Sequence, residues 1–175
     1  MAESLDRDLS APSVKYPADL IAAHDRAAEL AKMLEQGITA AEFRIRRRQL
    51  KKYAFAAHGL IIRPAASQRE LMDEGDALHH CVGSYGKDHA TGKTAIFFIR
   101  RVDRPKYPYY TLELAEKTLT VRQNRGKNNC VRTPEVEAFE KEWLAWVRAG
   151  APRDQAGRPL LGQTTRKAKR KRGAA

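Results

Sequence analysis

The hydrophobic pattern changes period along the chain. Residues 1–14 show no repeat and read as a flexible lead-in. Pro17 then opens a stretch from Ala18 to Gln36 whose apolar positions, Leu20, Ile21, Ala27, Leu30, Ala31 and Leu34, fall on one helical face, with Gly37 as the stop. His24 lies in this helix, at the edge of its apolar face. Thr39 and Glu42 form a capping-box pair for a second helix running to about Ala57, which buries Phe43, Leu50, Ala54 and Phe55. Leu60 to Pro64 is a short strand candidate, and Ser67 caps a further helix that Gly75 interrupts.

From Thr94 the period becomes that of strands. Ile96, Phe97, Phe98 and Ile99 are apolar on both faces, as a central strand requires. Tyr107 to Ala115 and Thr118 to Asn124 follow across a short polar turn, with Tyr110, Leu112 and Leu114 on one face and Thr111 and Glu113 on the other. Thr133-Pro134-Glu135 starts a last helix, whose stripe of Val136, Phe139, Trp143, Trp146 and Val147 is a core face. The expected fold is α+β: N-terminal helices and a C-terminal amphipathic helix packed on a small antiparallel meander of three to four strands. Residues 15–150 make the single domain, and Gly150 and Pro152 end it.

Composition refines this picture. The 175 residues are 42% hydrophobic and 31% charged, enough for an ordinary core, and no apolar run approaches the roughly 20 residues of a membrane span. The polar, acidic N-terminus has neither a secretory nor a transit pattern, and two cysteines are too few for a disulfide scaffold. A cytoplasmic protein with no membrane partner is the expectation. The net charge is +12, and residues 151–175 carry eight basic residues and one acid, so +7 of it lies in a tail expected to be disordered. Lys and Arg bind phosphates by displacing counterions, which makes nucleic acid the expected partner. The tail residues Lys167, Lys169, Arg170, Lys171 and Arg172 are candidate contacts, as are Arg47, Arg48 and Lys51 of the basic second helix.

Candidate chemistry gathers in two segments. The first is Leu78-His79-His80-Cys81-Val82-Gly83-Ser84-Tyr85, in which neighbouring side chains diverge by about 100° on a helix, so that only one histidine at a time faces a cleft. Cys81 reads as a buried small hydrophobe rather than a nucleophile. The second is Gln123-Asn124-Arg125-Gly126-Lys127-Asn128-Asn129. His79, His80, Cys81, His89 and Cys130 include zinc-ligand types, but they lack the paired short spacings of a zinc site, so neither metal nor other cofactor is implied. His79 and His80 with Glu113 and Gln123 are the candidate catalytic groups of a metal-independent phosphodiesterase. Arg125, Lys127, Asn128 and Asn129 are the candidate phosphate and base contacts. The same groups serve equally to bind nucleic acid without cutting it, or to meet an acidic protein partner.

The order of these blocks is similar to the PcfJ-like family: Glu74-Gly75, then Leu78 to Tyr85, Gly92-Lys93, Ile96 to Arg100, Tyr110 to Leu114, and Gln123 with Arg125 to Asn129. Tyr16 to Leu20, His24 and the helix from Val136 to Leu144 extend the resemblance over roughly residues 16–148. It implies a protein of conjugative plasmids, phages or other mobile elements, with possible protein partners in a transfer or phage complex. In larger relatives the region is often the C-terminal part. The resemblance carries a context rather than a reaction, and it assigns no catalytic residue. The basic tail lies outside it.

Overall fold

The computed structural model describes residues 40–161. The first expected helix, with His24, the lead-in and the tail residues Lys167, Lys169, Arg170, Lys171 and Arg172 lie outside them. Among the described residues the architecture is α+β, with four helices and a five-stranded antiparallel sheet in the order β1-β2-β3-β4-β5. The elements are α1 (Ala40–Leu50), β1 (Phe55–Ala57), β2 (Leu60–Pro64), α2 (Gln68–Leu78), α3 (Gly86–Ala90), β3 (Ala95–Arg101), β4 (Tyr110–Ala115), β5 (Thr120–Arg125) and α4 (Pro134–Arg148). No described helix is long and apolar enough to cross a membrane.

The sheet has more strands than the sequence led us to expect, because the second helix is shorter. α1 stops at Leu50, one 3-10 turn follows, and Phe55–Ala57 is a strand. The cause is the two-residue turn His58-Gly59, where both residues have positive φ (51° and 74°). Such a turn matches the twist of paired strands and sets Ala57 opposite Leu60. Ala54 to Ala57 suits a helix by propensity, but strand pairing overrides it.

The two faces of the sheet are covered differently. On one, Ala95, Phe97 and Ile99 of β3 and Tyr110, Leu112 and Leu114 of β4 meet the α4 stripe of Val136, Phe139, Trp143, Trp146 and Val147. Phe97 packs edge-on to Trp143 at 5.3 Å, and the two indole N–H groups donate to the carbonyls of Tyr53 (2.8 Å) and Pro152 (2.9 Å). Thr133 caps α4 and Pro134 occupies its first turn, as expected. Beyond Gly150 the described chain folds back, and the Leu160 N–H donates to the Pro152 carbonyl at 2.9 Å. Arg153 lies over Trp146 at 5.0 Å and donates to the Ala54 and Lys52 carbonyls, and Asp154 accepts from the Arg158 backbone at 2.8 Å.

The other face is polar as well as apolar. Arg100 and Thr111 project from it and both donate to Glu74 of α2, Arg100 through a two-pronged ion pair and Thr111 at 2.8 Å; Glu74 is 1% exposed. α1 joins this layer through Phe43 and Arg46, while its third buried residue, Leu50, packs into the core on the α4 face. Arg46 is thus turned inward, away from its basic neighbours. It donates to the carbonyls of His89 (2.9 Å) and Thr94 (3.1 Å) and pairs with Glu116. His89 is fully buried, stacked on Phe43 at 5.5 Å, and its Nδ1 accepts the Ile96 backbone N–H at 3.0 Å.

Burial, and secondarily the nearby Arg46 cation, pushes the His89 pKa down to about 4, against an opposing effect of the Ala65 backbone. The unfolded chain therefore takes up a proton near pH 6.5 that the native state refuses until about pH 4. Stability is complete above pH 6.5 and falls as the pH drops from there toward 4, by about 3 kcal/mol from this residue. Urea denaturation at pH 7.5 and 4.5 measures the loss. His89→Gln, which keeps an acceptor for Ile96, is expected to be less stable at pH 7.5 yet to lose much less between the two pH values.

Candidate functional site

The motif segment takes its shape from the end of α2. The helix runs through Gly75 rather than stopping there, and ends at His79, whose backbone is left-handed (φ 55°, ψ 53°). The His80 N–H donates to the Gly75 carbonyl at 3.0 Å. This reversal separates the histidines: His79 is exposed, and His80 is half-buried and turned toward the sheet. A 3-10 turn, Cys81–Tyr85, then buries Val82 and exposes Cys81, contrary to the expected burial of the thiol.

Three glycines let this turn lie against α2. A Cβ on Gly75 would stand 2.8 Å from the His80 carbonyl oxygen, and one on Gly83 would stand 3.4 Å from the Met72 Cα. At Gly86 the space is filled by the amide of Gln68, which donates to the Gly83 carbonyl at 2.9 Å. The Gly-rich motif is thus a packing requirement of two backbones in contact.

Facing this turn is the polar side of β4 and β5. Register places Glu113 opposite Gln123 and Thr111 opposite Arg125, with an irregularity between Glu113 and Leu114. The Glu113 carboxylate is buried and accepts three hydrogen bonds within this layer, from Thr94 (2.8 Å), Arg122 (3.0 Å) and Gln123 (2.9 Å). The Gln123 amide also donates to the Tyr85 hydroxyl at 3.3 Å, tying the sheet to the motif turn. After β5 the chain turns through Lys127–Asn129, with Asn128 and Asn129 both left-handed.

Between turn and sheet lies a pocket of about 30 Å³, room for one or two waters. His80, Cys81 and Tyr85 line it from one side, Thr111, Glu113, Gln123 and Arg125 from the other, and Asn129 closes it. The structure therefore brings His80, Glu113, Gln123, Arg125 and Asn129 together. It leaves His79, Lys127 and Asn128 exposed and outside the lining. The buried Nε2 of His80 has no hydrogen-bond partner, and burial lowers the pKa of the ring against opposing effects of its own backbone and of Glu74. Burial thus favours the neutral form of the His80 imidazole. Among the described residues no three His, Cys, Asp or Glu side chains converge as metal ligands. Tyr85 and Thr111 were not singled out from the sequence. Thr111 follows from strand alternation, and Tyr85 ends the first candidate segment without having been given a role there.

Arg47, Arg48 and Lys51 belong to a different surface. With Arg44, Arg63, Glu70 and neighbouring backbone they line a groove of about 570 Å³ between α1 and β2, and a second hollow, of about 800 Å³, continues past Lys52 to Arg153. The groove lies at β2 and the His80 pocket over β4 and β5, so two to three strand spacings, roughly 10–14 Å, separate them. Arg63 is held by Glu70 at 3.0 and 2.9 Å. Arg44, Arg47, Arg48 and Lys51 have no acidic partner among the described residues. The alternation of β2, in which Leu60, Ile62 and Pro64 are buried, is the sequence signal that sends Arg63 to the groove side.

The family model described as PcfJ-like protein matches residues 1–139. An uncharacterized protein of Listeria innocua is 32% identical over 154 residues, covering 83% of this chain and 33% of the relative. The chain thus spans about a third of the length of the curated relative it matches. No solved structure matches.

The close approach at Gly75 gives a direct test. Intrinsic helix propensity favours alanine over glycine by about 1 kcal/mol. Gly75→Ala is nevertheless expected to destabilise the domain by about 1–3 kcal/mol, because the methyl group meets backbone that cannot swing away. Urea denaturation measures the difference, and a stabilised variant would contradict the packing described.

Proposed function

We propose that this chain, a member of the PcfJ-like family, binds nucleic acid through the α1–β2 groove in the life of a mobile genetic element. The observation that carries the proposal is the row of Arg44, Arg47, Arg48 and Lys51, spaced to share one face of α1, with no acidic partner among the described residues, and facing Arg63 across a groove. Guanidinium groups bind phosphate oxygens through two parallel N–H donors, and their weaker hydration lowers the cost of contact. Burial of Phe43, Arg46 and Leu50 fixes the row, so little ordering is needed on binding. Lys167, Lys169, Arg170, Lys171 and Arg172 would add sequence-independent affinity.

A second reading is favoured by one feature of the His80 pocket. An imidazole whose neutral form is favoured by burial, with a buried nitrogen lacking a partner and Arg125 beside it, has the equipment of a general base acting on a phosphodiester. On this reading Glu113 and Gln123 position the pocket rather than move protons, since the Glu113 carboxylate is already occupied. An adaptor role toward acidic protein partners is the alternative that remains when nucleic acid does not bind.

Anisotropy titration of labelled DNA and RNA tests the leading reading. With four phosphate contacts, raising salt from 50 to 200 mM should weaken binding on the order of a hundredfold. The double substitution Arg47→Glu and Arg48→Glu should weaken it further at low salt and flatten the salt slope. Binding that ignores both salt and these substitutions would refute the groove. Cleavage lost in His80→Ala with binding retained would establish the second reading.

A further inference from the structure

We infer that the loop between β3 and β4 captures an unpaired base of a single-stranded nucleic acid on the ring of Tyr107. This rests on the nucleic-acid reading and sharpens it to a substrate class. The loop runs Val102-Asp103-Arg104-Pro105-Lys106-Tyr107-Pro108-Tyr109, with the cations Arg104 and Lys106 followed by the rings of Tyr107 and Tyr109. Tyr107 is 70% exposed and makes no ring contact among the described residues. The neighbouring Tyr109 is committed to the fold: it packs edge-on to Tyr110 at 4.8 Å, lies under the Arg101 guanidinium at 5.7 Å, and donates to Glu135 at 3.4 Å.

The loop is stiff although it is exposed. The Arg104 N–H donates to the Arg101 carbonyl and the Tyr107 N–H to the Arg104 carbonyl, both at 3.1 Å, and Val102 donates to Gly59 at 2.9 Å. Pro105 and Pro108 fix the backbone on either side of Lys106-Tyr107. Between Arg101, Arg104, Tyr107, Pro108 and Tyr109 is a hollow of about 540 Å³, larger than the His80 pocket and open beside the ring. An exposed aromatic ring contributes little to folding, and on a fixed backbone only its side-chain freedom is lost when a base stacks on it.

The charges argue for stacking as the main term. Asp103 and Glu135 lie against Arg101, and Asp103 is 4.0 Å from Arg104, which among the described residues leaves only Lys106 of this loop without an acidic neighbour. Phosphate attraction at this loop is therefore weak, and the ring must supply the affinity. Bases in a duplex are stacked on each other and cannot reach it, so the loop selects single strands.

The test compares one labelled single-stranded oligonucleotide with its duplex, titrated with the full chain. Tyr107→Ala should weaken single-strand binding by roughly five- to a hundredfold, the range that one stacked base supplies, and leave duplex binding unchanged. Tyr107→Phe, which keeps the ring, should bind the single strand as the parent does. Equal effects on both ligands, or none on either, would overturn the inference while leaving the groove to be judged by Arg47→Glu with Arg48→Glu. If the parent chain binds neither ligand, the nucleic-acid reading and this inference both fall.

Discussion

The interaction on which the rest depends is the buried pairing of Glu74 with Arg100 and Thr111. Glu74 is 1% and Arg100 4% exposed, so neither charge is solvated by water, and each is tolerable only in the other's presence. Their two-pronged contact fixes the rotation and height of α2 over β3 and β4. Everything in the motif segment follows from that placement. The end of α2 at His79, the approach of Gly75 to His80, and the position of Tyr85 over Gln123 are all measured from it. A hydrophobic layer of similar volume would hold the elements together with less directional control, which is a physical reason for placing charge here.

Most of the architecture was legible because it is written in local periods. The alternation of Tyr110, Leu112 and Leu114 against Thr111 and Glu113, the double-sided apolar run of β3, and the Trp stripe of α4 each predict a face, and each face is where the structure has it. What could not be read locally was decided by tertiary pairing. Ala54 to Ala57 has helical composition, yet the left-handed His58-Gly59 turn recruits it to an edge strand. Arg46 resembles its basic neighbours in sequence, but its position on the buried face of α1 sends it to the core. The convergence of His80 with Gln123 and Asn129, and the role of Tyr85 in joining them, required the two polar segments to meet across a sheet face.

The distribution of charge gives the protein two unlike surfaces. Around the His80 pocket, polar groups are largely consumed by one another, and the remaining space holds a water or two. Along α1, Arg44, Arg47, Arg48 and Lys51 have no acidic partner among the described residues and stand at the margin of a groove some twenty times larger. A small, preorganised pocket suits discrimination of a single group, whereas a row of guanidinium groups suits a polyanion of any sequence. The β3–β4 loop adds a third kind of contact, an aromatic one, at a place where charge is nearly balanced. These features are compatible with a nucleic-acid ligand held by its backbone at the groove.

The most direct measurement of that claim is photo-crosslinking of the full chain to a bound oligonucleotide, followed by mass-spectrometric mapping of the adducts. The account predicts adducts on the peptides containing Arg44 to Lys51 and, for single strands, on Tyr107. Adducts confined to the segment from His80 to Tyr85 and to Gln123 through Asn129 would contradict it and move the ligand to the β4–β5 side of the sheet.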